Sequence, residues 1–241
     1  MPPFFPILIL NARPGAGKSE VIHALRSLSE TERIQRFHVG PMHILDDFPM
    51  LWTWFEEDEI LEREFGRPRL HTTRDGYFIH EDMWHLLIRR LALEYAKWRR
   101  DAEGEATVII EFSRGSQHGG YRAAYPHLGH EILRQAASLY IQVSFEESLR
   151  KNRLRFNPER PDSTLEHGLT DNKLRTLYEQ DDWSEFTAGD PEYLHIEGAR
   201  LPYAVFDNED DVTTHPGPEL FSRLESTLDR LWTLRQQLEQ I

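Results

Sequence analysis

The chain has 241 residues, the size of one α/β domain with an elaboration or at most two small domains. Its 41 Asp and Glu against 28 Lys and Arg give a formal charge of −13, which argues against broad nucleic-acid binding but leaves room for a local basic pocket that holds a small anion. Cysteine is absent, so disulfides and thiolate metal sites are excluded, and nothing speaks for an oxidising compartment.

Residues 4–10 are apolar apart from Pro6. The run is too short for a membrane span and lacks the preceding basic residues of a signal peptide, so the expectation is a cytoplasmic protein with no membrane partner. Ile7-Leu8-Ile9-Leu10 has the pattern of a strand covered on both faces. Pro14, Gly15 and Gly17 break it into a loop, and Val21, Ile22, Leu25 and Leu28 then recur at helical spacing. Residues 37–45 read as a second strand, bent near Gly40-Pro41, and 51–65 as a helix rich in aromatic and acidic side chains. A basic, turn-forming stretch at 66–76 precedes an amphipathic helix at about 81–98, with Trp84, Leu87, Ile88, Leu91 and Tyr95 on one stripe. Residues 107–110 form a third strand ending in Glu111; 139–143 form a fourth, followed by a helix from about 146. Residues 203–206 form the fifth, and a last helix from about 219 carries a core stripe of Leu224, Leu228, Leu231 and Leu238. The alternation predicts an α/β fold, about five mostly parallel strands flanked by helices in a single domain spanning 1–241. Two stretches, about 46–80 and 151–200, fall outside that alternation, and insertions of this kind carry substrate contacts or moving lids.

Ala12-Arg13-Pro14-Gly15-Ala16-Gly17-Lys18-Ser19 fits a phosphate-binding loop of the Walker A type, with Ala in place of its first Gly. Small residues let successive backbone amides of Arg13, Gly15, Ala16 and Gly17 wrap a β-phosphate, and the helix that starts near Lys18 aims its positive end at it. Lys18 would reach the β- and γ-oxygens, and the Ser19 hydroxyl would ligate Mg²⁺. The cofactors expected are therefore ATP and Mg²⁺.

Two acids stand at strand ends. Asp46 or Asp47 closes the second strand, where it would accept a proton from a substrate hydroxyl or help hold Mg²⁺; either would equally serve as a cap of the helix that follows. Glu111 closes the third, where it would bind a metal-coordinated water, polarise the acceptor, or remain a solvated carboxylate. Arg150, Lys151, Arg153, Arg155 and Arg160 cluster within 11 residues of an otherwise acidic chain. They suit either a lid over the transferred phosphoryl group or a helix face paired with Glu146 and Glu147.

The order of these motifs resembles the uridine kinase and nicotinamide riboside kinase group of P-loop kinases: the loop at 12–19, then Asp46-Asp47-Phe48, then Ile109-Ile110-Glu111, then the arginine-bearing stretch. The chain departs from the group at Phe112, where the group has glycine, and in a longer, more aromatic stretch at 51–80. The resemblance implies a three-layer P-loop fold, with a substrate-side insertion at about 46–80 and a lid at about 151–170. It also implies Asp46 as the base, Glu111 as a second catalytic acid and metal ligand, and Arg153 and Arg155 as lid arginines. The activity it implies is phosphoryl transfer from ATP to a hydroxyl of a small molecule, nucleoside-like by preference. A nucleotide-dependent switch, or a kinase modifying a sugar nucleotide or antibiotic, remains open. Aromatic and cationic residues at 52–78, including Trp52, Trp54, Phe55, Tyr77 and Phe78, suit a ring-like acceptor, and the acidic turn at 207–211 suits a border for adenine. Zinc hydrolysis is rejected because His80 and His85 miss helical ligand spacing, and Ser113-Arg114-Gly115-Ser116 lacks a nucleophile elbow. The sequence carries no signal for oligomeric state.

Overall fold

The computed structural model describes residues 3–155 and 169–238. In chain order the elements are β1 (Ile7–Ala12), α1 (Lys18–Ser27), α2 (Glu30–Phe37), β2 (Met42–Asp46), α3 (Asp47–Arg63), α4 (Met83–Asp101) and β3 (Thr107–Phe112). There follow α5 (Gly120–Ala124), α6 (His130–Gln135), β4 (Ala136–Gln142), α7 (Phe145–Arg155), α8 (Asp171–Tyr178), α9 (Trp183–Thr187), β5 (Tyr193–Ile196), β6 (Ala199–Asp207) and α10 (Pro218–Leu238). The sheet runs β2-β3-β1-β4-β6-β5, parallel throughout except for β5, which pairs antiparallel with β6. This is an α/β fold with a six-stranded, mostly parallel sheet flanked by helices.

Strand alternation divides the interior into two cores. Leu8 and Leu10 face a cluster built with α1 and α10, including Leu25, Leu224 and Leu228. Ile7 and Ile9 face the other, built with α4, α5 and α6, including Ile88, Leu91 and Tyr125. Cover on both sides is why residues 7–10 of β1 and 108–110 of β3 read as unbroken apolar runs, with the buried polar residues Asn11, Thr107 and Glu111 kept toward the strand ends. Leu224, Leu228 and Leu231 of α10 are fully buried, as a core stripe requires.

The second expected strand divides differently. Phe37 ends helix α2, and the strand begins only at Met42. Ser29 accepts a bond from the Glu32 amide as N-cap, His38 closes the helix in the left-handed conformation (φ 54), and buried Arg33 donates to the Gly40 carbonyl. These local bonds outweigh the apolar look of 37–45. Helix α3 starts at Asp47 rather than 51, because Asp46 caps it and Pro49 is tolerated within a first turn. The short strand β5 and helices α2, α5, α6, α8 and α9 were not expected from the sequence. Among the described residues no helix is long and apolar enough to cross a membrane.

The chain leaves β1 for the edge strand β2 on one side and later returns to β4 on the other. In an open parallel sheet that reversal opens a crevice at the carboxyl ends of the central strands.

Candidate active site

The loop after β1 lies in that crevice and is held from behind. The Ala12 carbonyl accepts from the Tyr121 hydroxyl (3.1 Å), the Pro14 carbonyl from Ser148 Oγ (2.7 Å) and the Ala16 carbonyl from Asn208 Nδ2 (2.8 Å). With these carbonyls engaged by the protein, the amide edge is the polar face the loop has left to offer an anion, apart from the Ala16 amide, which donates to the Arg13 carbonyl at 3.2 Å. Gly15 and Gly17 adopt positive φ (74° and 113°), which other residues reach only with strain. A Cβ on Gly17 would also stand 2.7 Å from Thr213 Oγ1. The Arg13 side chain points elsewhere, to the carbonyls of Val143 and Tyr178 and into an ion pair with Asp181 (2.9 Å). Only the backbone of Arg13 is thus available to a phosphate, and Ala16 is buried.

Parallel pairing of β2 with β3 sets Asp46 opposite Glu111 in register, and both line one cavity of 420 Å³ with Lys18 and Ser19. Lys18 Nζ donates to Ser113 Oγ at 2.9 Å. Asp46 Oδ1 accepts from the Phe48 amide (2.9 Å), so the residue caps α3 and faces the cavity at once; the two roles weighed for it coexist. Burial, then the charges of Glu111 and Asp47, push the Asp46 carboxyl up to about 7, against the lowering effects of the Phe48 amide and Lys18. Burial likewise raises Glu111, with Lys18 opposing. Asp47 is engaged differently, pairing with buried Arg114 at 2.7 Å.

From the glycine loop the cavity extends into an aromatic chamber. Phe48, Trp52 and Phe55 come from α3, Tyr77 and Phe78 from the turn that follows it, Trp84 from α4, and Tyr178 from α8. Lys173 of α8 reaches across to this turn, 5.5 Å from the centre of the Tyr77 ring, where a Cβ on Gly76 would collide with it. Of the other residues expected on this side, Trp54 stacks on His71, and Arg69 and Arg74 pair with Glu62.

The structure therefore brings together Gly15, Lys18, Ser19, Asp46, Glu111 and Arg155, the last 3.5 Å from Ser19 Oγ. It does not bring in Arg153, whose guanidinium pairs with Asp171 (2.5 Å) on an exposed surface. Arg150 pairs with Glu147 and Asp211, the helix-face arrangement. Arg160 and most of the expected lid, 156–168, lie outside the described residues. Two acids of the 207–211 turn are taken up by cations, Asp210 by Arg223 and Asp211 by Arg150 and Lys151, while Glu209 accepts from the Ser144 amide and hydroxyl and Asp207 from the Glu209 amide. Sequence reading missed Arg114, Gln117, His118, Asn152 and Lys173 as cavity residues. For the first three the only signal was their place just beyond a strand that ends in an acid.

The donor set suits one small hard cation. Ser19, Asp46 and Glu111 offer oxygen alone, and among the described residues no group of three or more His, Cys, Asp and Glu gathers into a complete protein cage. Mg²⁺ is typically held in this way, by one or two carboxylates with substrate phosphates and water completing its shell. Two carboxyls raised by burial in a shared cavity would be relieved by such a charge.

No protein-family model matches the chain, and no curated protein matches it in sequence. Solved structures with a similar trace include a sugar kinase from a Janibacter species, 16% identical, with a TM-score of 0.45 over 95% of this chain and 96% of that one. A gluconokinase from Sinorhizobium meliloti is 16% identical with a TM-score of 0.45 over 97% and 98%. Shikimate kinase from Acinetobacter baumannii, in complex with shikimate, is 18% identical with a TM-score of 0.32 over 71% and 75%. Likeness at this level assigns no substrate, and none of these three is a uridine or nicotinamide riboside kinase.

Proposed function

We propose that this chain is a P-loop kinase that transfers a phosphoryl group from ATP, with Mg²⁺, to a hydroxyl of a small molecule bearing a nucleoside-like ring. The observation that carries the reading is the in-register pair Asp46 and Glu111, set in one cavity with Lys18 and Ser19 of the glycine loop. A nucleotide hydrolase needs only to place water; a cavity that runs on from these acids into an aromatic chamber has room for an acceptor. Its aromatic walls suit the face of a ring.

In this reading the loop amides and Lys18 hold the phosphates, while Ser19, Asp46 and Glu111 are the residues that would hold Mg²⁺, which neutralises charge on the phosphates when bound. Asp46 also stands where an acceptor hydroxyl would lie against the γ-phosphate. A carboxyl raised to about 7 is matched to taking up a proton near neutral pH. Arg155, at the mouth beside Ser19, meets charge on the transferred group. Residues 151–170 would close the nucleotide side as a lid, from which Arg155 reaches Ser19, and 46–80 would serve as the substrate side of a single domain.

The test is ADP release from ATP and Mg²⁺ across a panel of hydroxyl compounds. A kinase shows one class of acceptor that drives turnover far above hydrolysis by water. If every compound leaves the rate at the water level, the reading fails.

A further inference from the structure

The segment after β3 supplies Ser113, Arg114, Gln117 and His118 to the cavity wall. Two of these side chains carry polar atoms without a match. His118 is 6% exposed, and neither ring nitrogen has a hydrogen-bond partner among the described residues. Arg114 is 2% exposed; its terminal nitrogens reach Asp47 (2.7 Å), the Ser113 carbonyl (2.6 Å) and the Trp84 carbonyl (3.1 Å), but its Nε is unmatched. Buried polar atoms in native proteins are nearly always bonded, and two unmatched nitrogens on one ring, with a third on the neighbouring Arg114, mark this stretch of cavity wall as a place for a ligand.

Packing fixes the His118 ring. One face stacks on Trp84 (centroids 3.9 Å apart, planes 22° apart), and Tyr178 meets it edge-on at 5.7 Å. Arg114 lies 5.3 Å from the Trp84 ring centre and bonds its backbone, so it braces the platform on which the imidazole rests. Burial, followed by the charges of Arg114 and His85, pushes His118 down to about 3. At neutral pH it therefore offers one N–H and one lone pair, and no hydrogen bond within the described protein chooses which nitrogen carries the proton. Such a group is suited to meeting either a donor or an acceptor on a ligand.

We infer that His118 is a specificity-determining residue of the acceptor site, hydrogen-bonding the polar edge of a heteroaromatic ring held in the aromatic chamber, with Arg114 as the positioning residue behind it. The inference rests on the phosphotransfer reading and deepens it. The edge of a heterocycle carries the donors and acceptors a neutral imidazole can meet, while its faces suit Trp52, Phe55, Tyr77 and Phe78. A ring-free polyol would gain nothing comparable from these walls.

The experiment measures ADP release with cytidine, inosine, pyridoxine and, as a ring-free control, gluconate. Wild type is compared with His118→Phe, which keeps a flat ring on Trp84 and removes both nitrogens, and with His118→Asn, which restores a donor and an acceptor. A heteroaromatic acceptor should stimulate wild type. Its KM should rise about tenfold in His118→Phe, well beyond any fall in kcat, as expected for loss of one net hydrogen bond in binding. His118→Asn should recover part of that KM, and His118→Phe should melt no lower than wild type. A heteroaromatic acceptor whose KM is unchanged in His118→Phe overturns the inference and leaves the kinase reading standing. So does stimulation by gluconate alone, or a drop of several degrees in melting temperature with KM and kcat impaired alike. Stimulation by none of the compounds, with ATP still hydrolysed, overturns both for this substrate class.

Discussion

Replacing Asp46 with Asn leaves the local fold intact and removes a charge that the fold bears at a cost. The Asp46 side chain accepts the Phe48 amide at 2.9 Å, a bond the Asn carbonyl makes equally well, and Asn is as good a helix cap as Asp. What changes is ionisation. In the folded chain Asp46 keeps its proton up to about pH 7, because burial and the neighbouring Glu111 and Asp47 oppose its charge; unfolded, it ionises around its ordinary 3.8. Between those values the folded state binds more protons than the unfolded state, so stability falls as pH rises from about 4 to about 7. At 1.36 kcal/mol per pH unit the full penalty is roughly 4 kcal/mol, present above the folded value and absent below 4. Thermal melts of nucleotide-free protein at pH 4 and pH 8 measure it. Asp46→Asn should match wild type at pH 4 and melt several degrees higher at pH 8, where each kcal/mol is worth about 2–4 °C in a chain of this size. The same substitution should abolish acceptor-driven ADP release while ATP affinity stays within a few-fold. In wild type with ATP and Mg²⁺ bound, kcat/KM for the acceptor should climb with pH through a midpoint below 7, because cationic charge beside the loop favours the carboxylate. A variant that melts lower than wild type at pH 8, or that keeps its acceptor-driven turnover, refutes the reasoning.

Lys18→Ala should lower ATP-dependent ADP release about 100-fold or more by removing the loop's phosphate contact, with little change in melting temperature, since its hydrogen bond to Ser113 is part-buried and replaceable by water. Arg155→Ala should lower turnover about tenfold, whereas Arg153→Ala, which breaks only an exposed pair with Asp171, should stay within twofold of wild type in the same assay. Asp47→Ala should cost about 3–5 kcal/mol in urea unfolding, because it strands the buried Arg114 charge; Asp47→Ala with Arg114→Met should recover a large part of that loss.

What the sequence made legible follows from how local each signal is. The loop at 12–19 was readable because its requirements are all short-range: small residues, positive φ at Gly15 and Gly17, and a helix start at Lys18. The faces of β1, β3 and α10 were readable because burial on two sides or on one stripe leaves its period in the residues themselves. Residues 37–45 misled because an apolar pattern says nothing about the cap at Ser29, or about Arg33 reaching three backbone carbonyls. The far end of the cavity was not legible at all. Trp84 counts as an ordinary core residue of an amphipathic helix until α3, the turn after it and α8 are seen to converge on it. The same holds for Gly115, which looks like a loop glycine. A Cβ there would lie 1.8 Å from the Leu177 carbonyl, so it is the gap that lets α8 dock beside His118.

The placement of the two acids shows how a fold turns separate weak signals into one strong arrangement. Neither strand specifies a partner for its terminal carboxylate; the parallel pairing of β2 and β3 does, since in-register ends hold Asp46 and Glu111 roughly one strand spacing apart, about 5 Å. Burial in a shared cavity opposes both negative charges, and each charge opposes the other, even with Lys18 beside them; the proton retained on Asp46 to about pH 7 expresses that sum. Adding positive charge at the mouth of the glycine loop would release that proton at lower pH and leave a carboxylate facing the chamber. The carboxylate, a weaker base for its lower pKa but the form able to accept a proton, would then prevail once cationic charge has gathered beside the loop, and the protonated form in the empty protein. In the proposed reaction the charge state of Asp46 is thereby coupled to the filling of the loop, a coupling that follows from the register of two strands and the chemistry of their last residues.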